Sequence, residues 1–330
     1  MKILVTGSNG FIGKYLVGKL IAGGHEVCGF DNQCNQAEDS KIKCIIGDIR
    51  NKDALMEALD AVDVVIHLVA AHRDFGILES EYFDVNVNGT KNLLSGCSKL
   101  GIDKFIFCSS VAVYGLQPKP TDENTIPNPI TPYGQSKIAA EKVIEQWVNA
   151  SSKRQVIIIR PTVIFGPENY ANVYNLIDKI CRRKFIFIGN GSNVKSVAYV
   201  ENLVEVIMFS LKRLKPGIEV YNYSDEPQMT IRQIVETIAT HAGVTIPGIS
   251  ISLPVATIGG SIFDFLGKIT GYDFPFTAAR MKKFCDETYH RADKIRKDGF
   301  VAPISLEEGF RRTVKWYLEQ QLKSKQKKIH

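Results

Sequence analysis

Short apolar runs recur along the first half of the chain, separated by segments with helical spacing. Ile3–Val5, Val27–Phe30, Cys44–Ile46, Val64–Leu68, Phe105–Cys108 and Val156–Ile159 are rich in β-branched and aromatic residues. Runs of this kind mark strands that are covered on both faces. Between the first two, Phe11, Ile12, Tyr15, Leu16 and Leu20 fall on one helical stripe. Strands alternating with helices predict βαβ units, and hence an α/β fold built on a doubly wound parallel sheet.

After Pro161 the pattern changes. Loops rich in Gly, Asn and Pro surround two helical stripes, Val200/Leu203/Val204/Ile207/Met208/Leu211 and Ile231/Ile234/Val235/Ile238. Thr230 with Gln233, and Ser305 with Glu308, have capping-box spacing at helix starts. This half predicts a smaller α+β domain laid over the carboxyl edge of the sheet, where α/β folds place ligands. Ala242–Phe263 carries no charge but is broken by Gly243, Pro247, Gly248, Pro254, Gly259 and Gly260. It reads as buried loop and strand rather than a spanning helix, with shallow membrane contact as the alternative.

Composition narrows the class. Of 330 residues, 45% are hydrophobic and 23% charged, a globular balance that excludes disorder. Lys+Arg minus Asp+Glu is 41 − 35 = +6, and Lys323, Lys325, Lys327 and Lys328 place +4 of it in the last eight residues. The remainder is nearly neutral, which argues against a nucleic-acid-binding face. The seven cysteines include no Cys-x-x-Cys pair, so neither a disulfide framework nor a zinc site is expected, and a reducing cytoplasm fits best. His67 and His72 lack spaced ligand partners, and no metal site is read.

Two motifs carry chemistry. Gly7-Ser8-Asn9-Gly10-Phe11-Ile12-Gly13 follows the first strand and opens the first helix. Its glycines permit a tight turn and close backbone approach to a pyrophosphate at a helix N-terminus. Asp31 ends the second strand, where a carboxylate accepts ribose hydroxyls and repels a 2′-phosphate, favouring NAD(H) over NADP(H). Asp48 and Ile49, after the third strand, are placed to hold the adenine amine. Tyr133-Gly134-Gln135-Ser136-Lys137 sets Tyr133 and Lys137 one helical turn apart. A neighbouring ammonium favours the phenolate and lowers a phenol pKa that is ordinarily near 10. Ser110, beyond the fifth strand, can hydrogen-bond the same substrate hydroxyl.

Together with Cys108-Ser109-Ser110-Val111-Ala112-Val113-Tyr114-Gly115 and Arg160-Pro161-Thr162-Val163-Ile164-Phe165-Gly166-Pro167, these motifs resemble the extended short-chain dehydrogenase/reductases. That family holds NAD-dependent sugar epimerases, dehydratases and reductases, and the resemblance runs from Met1 to about Tyr317. It implies a Rossmann-like NAD-binding domain over 1–165, with 197–224 returning to it, and a mainly substrate-binding domain over 166–330. It also implies Ser110, Tyr133 and Lys137 as the catalytic triad, with Lys137 also bonding the nicotinamide ribose. Leu68, Ala70 and Pro161 join the cofactor contacts, and Asn86 falls near the site. A homodimer built on helices of the first domain is implied as well.

His67–Asp74, Asn172–Leu176, Lys195–Val200, Val220–Tyr223 and Arg280–Cys285 are similar to a bacterial surface-polysaccharide subgroup acting at C4 of diphosphate-linked N-acetylhexosamines. Its members include 4-epimerases and 4-keto-sugar reductases. This likeness implies a diphosphate-linked amino sugar as substrate, with Arg73, Asn172, Asn175, Lys195 and Arg280 as contacts. If the carrier is a polyprenol, peripheral contact with the inner face of the membrane follows. Two departures from the wider family matter. Ser110-Val111-Ala112 stands where dehydratases carry Thr-Asp-Glu, which removes the acid pair needed for water elimination. Val163 stands where nucleotide-sugar 4-epimerases usually have Asn.

Overall fold

The structure is a computed structural model that describes residues 1–33, 42–72, 76–246, 248–270 and 277–326. In chain order it begins β1 (Lys2–Thr6), α1 (Phe11–Ala22), β2 (Glu26–Asp31), β3 (Lys43–Ile46), α2 (Lys52–Ala58) and β4 (Val64–His67). Then come α3 (Glu79–Phe83), α4 (Gly89–Leu100), β5 (Lys104–Cys108), α5 (Pro132–Asn149) and β6 (Gln155–Pro161). Next are β7 (Val163–Phe165), α6 (Asn172–Cys181), β8 (Phe187–Ile188), β9 (Val194–Lys195), β10 (Val197–Tyr199) and α7 (Val200–Leu211). The chain continues through β11 (Gly217–Tyr223), β12 (Met229–Thr230), α8 (Ile231–Ala242), β13 (Ser250–Ile251) and α9 (Leu253–Thr270). It ends with α10 (Ala278–Cys285), α11 (Asp293–Lys297) and α12 (Leu306–Gln326).

Two compact units result. The first comprises Met1–Ile164, Val200–Ser224 and His290–Pro303. Its seven-stranded sheet has the order β11-β6-β5-β4-β1-β2-β3, and every pairing is parallel. Strand alternation divides the core into two layers. Leu4, Phe30, Val65, Phe105, Phe107 and Ile158 pack with Leu55, Leu93, Leu94, Ile144 and Trp147 of α2, α4 and α5. The intervening Ile3, Val5, Ile66, Ile106 and Ile157 are equally buried and lie on the side where α1 packs against α7. Chain order reverses between β1 and β4, and their register (Thr6 opposite His67, His67 opposite Phe107) brings the carboxyl ends level. That crevice is where a doubly wound sheet receives its ligand.

The segment His290–Pro303 belongs to this unit, a return that the sequence reading lacks. His290 Nδ1 lies 2.6 Å from Thr121 Oγ1, and its ring stacks on Tyr114 at 6.2 Å.

The second unit comprises Phe165–Tyr199, Asp225–Tyr289 and Ile304–His330. Here α8 packs against α6 and α12, and α9 against α10. Phe165 stacks on Phe310 at 4.4 Å and meets Tyr199 at 5.5 Å. Thr230 and Gln233 form the expected capping box on α8, and Glu308 N donates to Ser305 Oγ at 3.2 Å. The expectation for Ala242–Phe263 needs correction. Residues from Leu253 onward form α9, and Val255 and Ile258 are 60% and 67% exposed. Pro254 occupies the first turn, where a helix needs no amide donor. A Cβ on Gly260 would lie 2.5 Å from the Ala278 backbone nitrogen, so glycine is what admits α10 at that point. No helix among the described residues is long and apolar enough to cross a membrane. Of the lysine-rich end, residues 327–330 lie outside the described residues.

Candidate active site

The glycine turn is tight for steric reasons. Gly7 has φ +76° and donates its N–H to Phe30 O at 2.7 Å. A Cβ on Gly13 would sit 2.1 Å from Gly7 O, so only glycine lets α1 start this close to the turn. Gly10 caps α1 and supplies no side-chain oxygen to its first-turn N–H groups, which suits an anion there. Phe11 and Ile12 open the helix. Asp31 is buried, with Oδ2 accepting from Asn9 N at 2.9 Å and Oδ1 from Gln33 N at 3.0 Å. The carboxylate is thus fixed beside the turn, and each oxygen keeps a second lone pair for a ribose hydroxyl. This turn, too tight to admit a Cβ at Gly13, and this acceptor fit a dinucleotide.

Asp48 is held by Arg50, with Nε at 2.9 Å and Nη2 at 2.5 Å, and the arginine's hydrogen bonds keep its carboxyl below the usual range. Ile49 is buried against the start of α4, where a Cβ on Gly89 would meet it at 2.5 Å. Leu68 N donates to Thr6 O at 3.0 Å, and Leu68 and Ala70 are half-buried in the irregular segment that leaves β4. Pro161 ends β6.

The residues expected to handle protons lie just past the end of β5 and in the first turns of α5. Ser110 follows β5, and its Oγ accepts from Ala112 N at 3.1 Å, capping a 3₁₀ turn over Val111–Tyr114. That leaves its hydroxyl proton free to be donated elsewhere. The first turn of α5 presses on this turn, since a Cβ on Gly134 would lie 2.4 Å from Ala112 O. Tyr133 is half-buried beside Tyr82, with ring centroids 6.4 Å apart. Lys137 is 1% exposed. Its Nζ donates to Cys108 O at 2.6 Å and lies 4.2 Å from the centre of the Phe107 ring. Burial pulls its pKa down to about 8, so the ammonium still prevails at neutral pH.

Asn86, mentioned in the sequence reading only as near the site, is buried in a π-helical turn over Asp84–Asn88. Its Oδ1 accepts from Ala71 N at 2.7 Å, and its Nδ2 donates to Ala71 O at 3.1 Å and to Ser136 Oγ at 2.8 Å. Such single π turns recur at functional sites. His67 extends the network. Thr90 gives its hydroxyl proton to Asn86 O at 2.6 Å, so at 3.1 Å it accepts from His67 Nε2–H. His67 Nδ1 therefore accepts from Thr6 Oγ1 at 2.6 Å. Burial, reinforced by Lys137, drives the His67 pKa down to about 3 and keeps the ring neutral.

Sequence reasoning missed a second buried network behind Ser110. Arg160 Nε and Nη2 clasp Glu141 at 3.0 and 2.5 Å, and Ser109 Oγ adds a bond to Glu141 at 2.5 Å. Arg160 Nη1 reaches Tyr114 OH, which donates to Asn222 Oδ1. The Arg160-Pro161 string was visible, but its partner Glu141 carried no local signal.

Of the expected substrate contacts, Asn172 and Asn175 are exposed in the first turns of α6. Lys195 lies in β9 with its ammonium on Asp286 O. Arg280 is carried by α10, but its side chain, like the whole of Arg73, lies outside the described residues. The four that are placed belong to the second unit. No group of three or more potential metal ligands occurs among the described residues.

The fold and this site define a Rossmann-type protein with a turn and an acceptor fitted to a dinucleotide. Residues 3–223 match the model of the NAD dependent epimerase/dehydratase family, and the chain belongs to that family. Its cofactor is NAD. Among curated proteins it is 42% identical, over 95% of this chain and 94% of the relative, to the N-acetyl-alpha-D-glucosaminyl-diphospho-ditrans,octacis-undecaprenol 4-epimerase of Escherichia coli O157:H7. It is 27% identical to a UDP-glucose 4-epimerase of Vibrio cholerae, over 96% of this chain and 95% of that one. Two solved structures share the fold. The UDP-glucose 4-epimerase of Thermus thermophilus with NAD has TM-score 0.75 and 22% identity, covering 96% of this chain and 99% of that one. The UDP-glucuronic acid 4-epimerase of Bacillus cereus with NAD has TM-score 0.77 and 23% identity, covering 97% and 99%.

Proposed function

We propose that this protein inverts C4 of an N-acetylhexosamine, GlcNAc to GalNAc or the reverse, carried on a diphosphate. The observation that carries this reading is the 42% identity across nearly the whole of both chains with an epimerase of that substrate class, joined to an intact Ser110/Tyr133/Lys137 set. The relative's name favours a polyprenyl carrier over a nucleotide. The absence of an acid pair at Val111-Ala112 argues against dehydration.

We assign NAD to Gly7, Asn9, Gly10, Phe11, Ile12, Gly13, Asp31, Asp48, Ile49, Leu68, Ala70 and Pro161, with Tyr133 and Lys137 at the nicotinamide end. NAD, when bound, supplies the hydride acceptor and donor for C4. Ser110 donates to the C4 oxygen and orients it. Tyr133 takes the C4 hydroxyl proton and returns it after the 4-keto sugar has presented its other face. Lys137, still ammonium at neutral pH, favours the phenolate. Arg73, Asn172, Asn175, Lys195 and Arg280 are the assigned contacts to sugar and diphosphate. The enzyme acts in the cytoplasm as a homodimer, in peripheral contact with the membrane that holds its substrate.

The test is conversion of GlcNAc-diphospho-undecaprenol to its GalNAc epimer by purified protein with no added cofactor. Epimerisation at a constant nicotinamide redox state is the expected result. Stoichiometric NADH consumption with a 4-keto sugar, and no epimerisation, would replace this reading with a reductase.

A further inference from the structure

Five buried polar side chains of the first unit surround the turn that carries Ser110, and they are engaged with one another. Glu141 and Arg160 are only 6% and 7% exposed. Arg160 Nε and Nη2 fork onto the two carboxylate oxygens of Glu141 at 3.0 and 2.5 Å. Arg160 Nη1 donates to Tyr114 OH at 2.8 Å, and the guanidinium carbon lies 5.1 Å from the centre of the Tyr114 ring. Tyr114 OH donates in turn to Asn222 Oδ1 at 2.7 Å. Ser109 Oγ completes the group by donating to Glu141 Oε1 at 2.5 Å.

The ion pair grips the chain on both sides of Ser110. Ser109 precedes it directly, and its N–H donates to Ile159 O at 2.7 Å, on the strand that carries Arg160. Tyr114 closes the 3₁₀ turn that Ser110 caps, in which Ala112 N donates to Ser110 Oγ and Val113 N to Ser110 O. Glu141 stands on α5 at i+4 from Lys137 and i+8 from Tyr133, so the three share a helix face. Helix α5 thus holds two successive residues beyond Phe107: Lys137 Nζ takes Cys108 O, and Glu141 takes Ser109 Oγ. Stability alone gives little reason for such a pair. Burying two charges roughly cancels their attraction, and well-packed apolar residues serve as well. What a forked pair adds is direction, because two parallel N–H···O bonds fix guanidinium and carboxylate in one plane.

We propose that Glu141 and Arg160, through Ser109 and Tyr114, are positioning residues that set the Ser110 hydroxyl against Tyr133 and Lys137. This rests on the reading that Ser110 orients the C4 oxygen, and it names what holds Ser110 in place. The charged groups act through Ser110, whose Oγ must keep its distance from a phenol carried by a different element. With the clamp released, the turn shifts while α5 stays anchored by Lys137 and by the core packing of Ile144 and Trp147.

The experiment combines Ser109→Ala/Tyr114→Phe, which uncouples the turn and leaves the buried charges paired, with Ser110→Ala. Alone, the double variant is expected to lower kcat by about 10–100-fold, the cost of displacing a reacting group by about 1 Å. KM should stay within about threefold. Added to Ser110→Ala, it should lower kcat no further, because residues that act through one group lose their effect once that group is gone. Native-state hydrogen exchange gives a readout that needs no turnover. The Ala112 and Val113 amides should exchange about tenfold faster in the double variant, while those of β5 and α5 keep wild-type protection. Ser109→Ala alone, the milder change, should move both readouts the same way by less. Losses that multiply in the Ser110→Ala background, an unchanged kcat, or faster exchange spread evenly over β5 and α5 would reduce the network to core packing and end the proposal. Failure of the underlying reading looks different. Ser110→Ala with wild-type turnover removes Ser110 from the reaction, and exchange at Ala112 and Val113 then decides by itself whether the pair holds the turn. Wild type that reduces a 4-keto sugar without epimerising overturns the epimerase reading alone, since the same variants are then compared on that reduction.

Discussion

Asn86 donates through Nδ2 to Ser136 Oγ at 2.8 Å, tying the π turn before α4 to the residue just ahead of Lys137. The same side chain closes both backbone groups of Ala71. One buried amide therefore holds the segment after β4 that carries Leu68 and Ala70 and the helix that carries Tyr133. Asn86→Leu keeps the volume but takes away the partner of the half-buried Ala71 N–H and C=O, each costing up to about 1–3 kcal/mol when unpaired, while Ser136 Oγ keeps its bond to Tyr133 O. We expect a loss on the order of 2 kcal/mol in urea unfolding, together with weaker NAD retention. A variant as stable as wild type would show that these bonds are replaced by water.

Tyr133→Phe removes the phenol oxygen and keeps the ring that meets Tyr82. Turnover should fall by about 10²–10⁴-fold, the usual worth of a positioned acid–base group. NAD affinity should stay within a few-fold, since the ring's packing survives. Single-turnover assays with a cofactor titration separate the two, and turnover within threefold of wild type would remove Tyr133 from the proton path.

How much of this was legible in sequence depended on how local the cause was. The turn at Gly7–Gly13 and the Tyr133/Lys137 pair are set by neighbours in the chain, and their residue types announce the geometry. The return of 290–303 is not, because His290 meets Thr121 across 169 residues with no shared motif. The helix α9 was misread because Pro254, Gly259 and Gly260 lower intrinsic helix propensity. Two tertiary facts outweigh that: Pro254 falls in the first turn, and Gly260 admits the start of α10. The tyrosine motif gives Gly134 no role, and only the 2.4 Å approach to Ala112 O shows what it does.

Gly134→Ala tests that approach. The clash is with backbone, so the start of α5 must move away from the turn that carries Ser110. Displacing catalytic groups by about 1 Å costs up to about 10²-fold in rate. We expect kcat to fall by roughly 10–100-fold while NAD still binds through the glycine turn. An unchanged kcat would mean that the Ser110 turn and α5 are not held in register by this contact.

Asp31 should set cofactor choice. Its carboxylate is pinned by the Asn9 and Gln33 amides at the end of β2, where a 2′-phosphate would meet negative charge. Direct titration should show wild type preferring NAD over NADP, and Asp31→Ala should narrow the ratio by weakening NAD and relieving NADP. Equal affinities in wild type would move the ribose contact elsewhere.

The last prediction follows from the charge on Lys137. Burial lowers its pKa from 10.5 to about 8 in the folded chain. Between those values the unfolded chain holds more protons than the folded one, so stability rises with pH across the window. The cost of burying the ammonium is complete below pH 8 and is relieved progressively up to pH 10.5. The Cys97 and Cys108 thiols, pushed up by burial, oppose this at higher pH, so the comparison is with Lys137→Met rather than with wild type alone. Between pH 7 and pH 9, wild type without cofactor should gain on the order of 1 kcal/mol relative to Lys137→Met. At pH 7 the methionine variant should be the more stable and catalytically dead. Parallel pH profiles of the two proteins in denaturant unfolding would mean that Lys137 is solvated well enough to keep an ordinary lysine pKa, and its role in holding the Tyr133 phenolate would need another source of charge.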